Sequence, residues 1–300
     1  ESLFDAVHAD LAAHLAATHR VETFPYDWRQ PLDVLADRLG ERLTALLRET
    51  DRPLRLLAHG LGGLVVRACI HRRRAVVDEL MQRNGARLVL LGTPHHGTHA
   101  AVEALLGKSA ALRGLVWRDT AQPMDSVLGL LAEFRGLLQL LPRRGFDEED
   151  AAHAGNAHEH PDFQRADTWA VLRQANRDRW FGDGRGALPS QRALDEGSWL
   201  WHQTTESGGT LPPAYTDRTV AVHGIARLTP CGLRIENGRL QMVGTTRGDG
   251  TVTWASGHLD GIGRHYYLAA EHGELTTCRD GFPALTELLE RGTTRLLPGT

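Results

Sequence analysis

The stretch LRLLAHGLGGLVVRAC, Leu54 to Cys69, has the pattern of a buried strand, a sharp turn on glycines and a helix. A strand–turn–helix reversal of this kind, in the pattern G-x-S-x-G, lifts a nucleophilic serine above a sheet edge for acyl transfer. Here the apex is Gly60, and Ala58, Gly62 and Gly63 are the small neighbours that let strand and helix pass closely. The first helical N–H, that of Leu61, falls where a developing oxyanion would need a donor. Further on, RGDGTVTWASG places Asp249 in a Gly-Asp-Gly loop, and YYLAAEHGEL places His272 just past another apolar run. Turn, acid and histidine thus follow one another in the order of a Ser…Asp…His triad. Each part has a plainer reading alone: a phosphate-binding or packing turn, a turn aspartate, a surface or capping histidine.

Glycine at the apex removes the atom that triad chemistry depends on. A serine hydroxyl splits acyl transfer into two steps through a covalent ester, and loss of such a nucleophile costs on the order of 10⁶ in turnover. No neighbour replaces it by spacing. His59 precedes the apex and is expected to point elsewhere. A weaker route has a water, activated by His272, in the space of the missing hydroxymethyl. Glycine does accept strained apex dihedrals at little steric cost, so the fold is expected to persist while covalent catalysis does not. A replaced serine and a natural pseudoenzyme both give this outcome.

The elements that must hold these residues alternate. Residues 2–18 have apolar positions at helical spacing, and VETFPYDWR, 21–29, reads as a short strand broken by Pro25. Pro31 opens a second amphipathic helix through Leu47. Strand 54–58, helix 61–75 and the apolar run in RLVLLGTPHHGT continue the rhythm. Near-continuous apolar strands alternating with helices predict a mostly parallel sheet covered on both faces. From 105 to 215 the rhythm turns helical, with a leucine-rich helix over 127–141 and Trp169, Trp180, Trp199 and Trp201 in further helical material. Strands resume at RTVAVHGIA, followed by a hairpin turning at Asn237-Gly238, the strand RHYYLAA and a last helix over 282–291. The expected division is therefore core 1–104, helical insertion 105–215 and core 216–300.

FPYDWR (24–29), AHGLGGLV, LGTPHHGT (91–98), GDGTV (248–252) and EHGEL (271–275) together resemble the lecithin:cholesterol acyltransferase-like branch of the α/β-hydrolases. The five blocks occur in the right order across most of 1–104 and 216–276. The resemblance implies an α/β-hydrolase core of lipase, esterase or acyltransferase type acting on acyl esters or lipids. It implies Asp249 as the acid that orients the histidine, His272 as the general base, Gly60 in the nucleophile position and Leu61 as one oxyanion-hole N–H. It also implies that the insertion is a lid, whose leucines and tryptophans either line an apolar cleft and touch lipid or simply pack the lid onto the core. Two features depart from the family: no serine stands at 60, and no early strand ends in His-Gly to give the second oxyanion donor. The chain opens at Glu1 directly on a helical pattern, so missing N-terminal strands are expected.

Composition excludes several other classes. Apolar residues make up 41% and charged residues 24%, with a net charge of −3. No basic half or long basic run supports nucleic-acid binding. No apolar stretch reaches a membrane span, which leaves contact with a membrane surface through the lid. Cys69, Cys231 and Cys278 are few, odd in number and dispersed, which suits a reducing compartment and a cytoplasmic location. Lys108 is the one lysine among 34 basic residues, a bias of GC-rich, bacterial coding. His95, His96 and His99, and separately His153, His158 and His160, lack metal-ligand spacing. No cofactor or metal is expected, and the acidic run 147–150 reads as a solvated loop. A protein partner is expected if the chain is a pseudoenzyme.

Overall fold

The computed structural model describes residues 3–118, 123–146, 148, 161–176, 188–206 and 210–300. Its centre is a four-stranded parallel sheet in the order β1 (Arg55–His59), β2 (Arg87–Leu91), β3 (Thr219–Gly224), β6 (His265–Leu268). The register aligns His59 with Leu91, Leu91 with Val222 and Val222 with Tyr266, so the carboxyl ends of all four strands form one edge.

Alternation along the strands sorts their side chains onto two faces. Ala58, Leu88, Leu90 and Ala221 join a core with α2 (Leu32–Glu49), α3 (Leu61–Arg72) and α4 (Arg74–Gln82). Val89, Leu91, Val220 and Val222 join the other core, under α1 (Leu3–Ala16) and α12 (Phe282–Arg291). Helices therefore cover both faces of the sheet.

Between β2 and β3 the described residues are helical, without a strand: α5 (His99–Leu105), α6 (Ala110–Arg118), α7 (Met124–Leu131), α8 (Arg135–Leu138), α9 (Ala166–Asn176), α10 (Gln191–Gly197) and α11 (Trp199–Glu206). They have a core of their own, around Leu138, Leu141, Phe163, Trp169 and Leu194. The antiparallel hairpin β4 (Thr229–Glu236) and β5 (Arg239–Thr245) adds Leu233, Leu240 and Met242 to it. The hairpin turns on Asn237 (φ 51°) and Gly238 (φ 69°), the pair of left-handed residues that a two-residue turn of matching twist requires. No helix among the described residues is long and apolar enough to cross a membrane.

Three expected elements differ. Residues 21–29 form no strand: 21–27 have no regular structure and 28–29 turn, with Val21 packed on one core and Phe24 and Tyr26 on the other. Pro25 interrupts the segment and supplies no N–H. The helix expected over 61–75 stops at Arg72. Arg73 leaves helical dihedrals (φ −122°, ψ 41°), Asp37 binds both Arg72 and Arg73, and α4 starts afresh. The leucine-rich helix 127–141 is broken in two. Phe134 is extended (φ −79°, ψ 100°), and Gly136 comes so close to the Trp28 carbonyl that a Cβ would lie 1.7 Å from its oxygen. The Gly136 N–H donates to Arg29 O at 3.2 Å, so docking of the 28–29 loop sets the break.

Candidate active site

β1 runs straight into the apex. Gly60 N–H donates to Leu91 O at 2.9 Å, extending the ladder by one residue, and the chain then reverses at φ 53°, ψ −122° into α3. L side chains rarely adopt such dihedrals. The close passage expected of the small neighbours is present: a Cβ on Gly62 would touch that of Ala58 at 3.8 Å, and one on Gly63 would overlap Thr93. Leu61 is the first residue of α3, so its N–H has no acceptor within the helix.

A Cβ on Gly60 would point at the imidazole of His272, 2.9 Å from Nε2 and 3.4 Å from Cε1. His272 in turn donates Nδ1–H to Asp249 Oδ2 at 2.8 Å, and its backbone N–H donates to Asp249 O at 2.7 Å. Asp249 Oδ1 accepts from the N–H groups of Thr251 (2.9 Å) and Val252 (2.6 Å). The carboxylate is 2% exposed, and three donors serve it. The sequence thus places apex, imidazole and carboxylate in one line at the carboxyl edge of the sheet, where open α/β folds bind ligands.

Glycines at two strand ends make room for that line. Gly92 follows β2 at φ 51°, and a Cβ there would lie 2.7 Å from Asp249 Oδ2 and 3.0 Å from His272 Nδ1. Gly224 closes β3, where a Cβ would meet Ala270 O at 2.5 Å and Asp249 Cβ at 2.6 Å. His272 begins a single 3-10 turn, 272–274, framed by a reciprocal capping pair of Glu271 and Glu274.

The structure corrects the expectation for His59. Its ring lies beside that of His272, with centroids 4.6 Å apart, and its Nε2–H donates to the His272 carbonyl at 2.9 Å. Burial, with His272 as the next contributor, pushes its pKa down to about 3. Tyr26 was also missed: its hydroxyl lies 3.4 Å from the Cβ position of Gly62, with burial raising its pKa to about 12. Strand alternation shows which face His59 takes but not that a loop 213 residues on meets it.

The insertion is stitched to this edge through residues 96–98. Thr98 N–H donates to Leu140 O (2.7 Å), Arg143 N–H to His96 O (2.9 Å), and the Thr98 hydroxyl to Thr251 O in the acid's own loop. Glu148 overturns the solvated-loop reading of 147–150 at the one described residue: it is 1% exposed and accepts from the Thr253 hydroxyl at 2.6 Å. Of the four tryptophans singled out in the sequence, the three that lie in described residues pack inward. Trp169 is buried and donates to Phe163 O at 3.0 Å, Trp201 is buried, and Trp199 is half-buried against His71. Trp180, His153, His158 and His160 lie outside the described residues.

His95, His96 and His99 turn to different neighbours. His95 is buried and held well below the usual histidine range by burial. His96 stacks on Phe146 at 4.7 Å, with burial pushing it to about 4, and His99 packs edge-on to Phe163. Among the described residues no three metal-ligating side chains converge. No disulfide joins Cys69, Cys231 and Cys278.

No protein-family model and no curated protein matches the sequence. Among solved structures, a chain of the Tle4–Tli4 complex superposes with a TM-score of 0.55 at 14% identity, over 87% of this chain and 66% of that one. This chain thus spans just under two thirds of that chain's length. A Bacillus licheniformis lipase, BlEst2 in its mature form, aligns more loosely, with a TM-score of 0.42 at 12% identity over 87% of this chain and 75% of that one. The parallel sheet, its helical cover and the first of these likenesses make this an α/β-hydrolase fold.

Proposed function

We propose that the chain is a lipase- or esterase-type acyl hydrolase or acyltransferase scaffold of the lecithin:cholesterol acyltransferase-like kind, inactive in covalent catalysis because Gly60 stands at the nucleophile position. The observation that carries this reading is directional. The side-chain direction of residue 60 ends 2.9 Å from His272 Nε2, and the far side of that imidazole is bound to Asp249 at 2.8 Å.

With a hydroxyl on residue 60, its proton would pass to His272 Nε2 as the oxygen attacked an acyl carbonyl. Asp249 would hold Nδ1–H and stabilise the imidazolium. The Leu61 N–H would receive the oxyanion, and His272 would return the proton to the leaving alkoxide. Without that oxygen no ester to the protein forms. The substrate class in this reading is an acyl ester or lipid, and the helical segment 105–215 serves as a lid. Exposed Trp117 and Leu130 in that segment support contact with a membrane surface.

The test is Gly60→Ser. Hydrolysis of p-nitrophenyl butyrate is expected to rise about 10²-fold or more above the parent, the scale of general-base assistance. Adding His272→Ala is expected to return it to background. The serine meets strained dihedrals, costing roughly 1–3 kcal/mol, and moves the imidazole back slightly. A folded Gly60→Ser protein with no turnover and no labelling by a fluorophosphonate would overturn the reading.

A second reading is favoured by the same contact. The imidazole lies closer to the apex than a Cβ tolerates, as suits a protein that holds a lipid, peptide or protein partner without turnover. It predicts background rates in every residue-60 variant and a partner that shields 105–215 from proteolysis.

A further inference from the structure

We propose that His59 is a positioning residue for His272, tying the turn that carries the base to the strand that carries the apex; this rests on the reading of His272 as general base. His272 is held at four points, one of them local: the Leu275 N–H closes the 3-10 turn on the His272 carbonyl at 3.4 Å, and the other three come from further along the chain. Its backbone N–H and its Nδ1–H both go to Asp249, at 2.7 and 2.8 Å. The third tie runs from His59 Nε2 to the His272 carbonyl at 2.9 Å, and it alone comes from β1. The first two fix the imidazole relative to its acid. The third fixes it relative to residue 60, the next residue along from His59.

The chemistry of His59 suits that task. A carbonyl only accepts, so Nε2 carries the proton and Nδ1 is bare in the neutral ring. With burial holding its pKa near 3, the ring stays neutral across the working range. A charged ring 4.6 Å away would oppose the imidazolium that forms on His272 during proton transfer. The groups facing the pair are few. Asp249 faces His272, and His8 of α1 meets His59 edge-on at 5.9 Å, with burial lowering its own pKa.

The experiment uses the parent chain, with glycine at 60, so that its outcome does not depend on turnover. Imidazole ¹⁵N and ¹H NMR follows the Nδ1–H of His272 bonded to Asp249 and the ¹⁵N resonances of that ring. His59→Phe keeps a ring and removes the donor. It is expected to broaden away the Nδ1–H signal and to shift the ring ¹⁵N resonances of His272. His59→Gln places a donor where Nε2 stood and is expected to restore both. Should His59→Phe not fold, His59→Asn, too short to reach the carbonyl, replaces it with the same readouts. In the Gly60→Ser background, His59→Phe is expected to lower kcat about tenfold or more with KM unchanged, since small misplacements of a base are costly. A folded His59→Phe protein with both signals as in the parent overturns the proposal. Absence of turnover in Gly60→Ser bears only on the catalytic reading.

Discussion

At Gly92 the requirement for glycine is double. The backbone is left-handed, and any Cβ would press on Asp249 Oδ2, His272 Nδ1 and Leu275 at once. Gly92→Ala is therefore expected to cost about 1–3 kcal/mol of stability, read from the urea midpoint. In the Gly60→Ser background it is expected to remove turnover as well, because the oxygen and nitrogen it displaces are the acid–base contact itself. An Ala variant with parental stability and turnover would show that the contact relaxes freely. At this scale the meeting of Gly60, Asp249 and His272 at one sheet edge was legible from their order along the chain. The sequence was illegible where the partner comes from a distant loop. Nothing near His59 announces the carbonyl it binds, and nothing near Glu148 announces the Thr253 hydroxyl.

Among the elements, β1 differs from its neighbours. Its one hydrogen-bonded neighbour among the described residues is β2, and Leu56 and Leu57, on opposite faces, are both incompletely buried. Since Gly60 N–H faces β2, alternation turns the amides of Ala58 and Leu56 the same way and those of Leu57 and His59 outward. Hydrogen exchange resolved by residue is expected to be faster at Leu57 and His59 than at Leu56 and Ala58. Equal protection on both sides would mean the outer edge is covered. The strands of the sheet, α2, the hairpin and the last helix were readable because each carries a strong period or turn signal. The breaks after Arg72 and at Phe134 were not, because both come from tertiary contacts, Asp37 on two arginines and the Trp28 carbonyl on Gly136, that outweigh local helix preference. The segment 21–29 shows the converse: residues suited to a strand, without a neighbour to pair with.

Across the whole molecule, several histidines are folded in their neutral form. Burial holds His59 and His223 near 3 and His96 near 4, against an unfolded value near 6.5. Below about pH 6.5 the unfolded chain takes up protons that the folded one refuses, so stability is full above that pH and falls as pH drops toward 4. The three together give a slope of at most about 4 kcal/mol per pH unit near pH 5. Urea midpoints at pH 7, 6 and 5 measure it, and a flat profile would mean these rings charge without unfolding. The parallel sheet and the helical run after β2 were readable from rhythm alone, whereas the joints between them, the hydrogen bonds of His96, Thr98 and Glu148 and the packing of the hairpin, were not. One of those joints has a mechanical meaning. Thr98 grips Leu140 with its backbone and the acid's loop, at Thr251, with its hydroxyl. A load on Leu140 therefore reaches the carboxylate's cradle through Thr98, alongside the path from Glu148 to Thr253. By thermodynamic reciprocity, any coupling carried by Thr98 acts equally on the Thr251 loop and on Leu140.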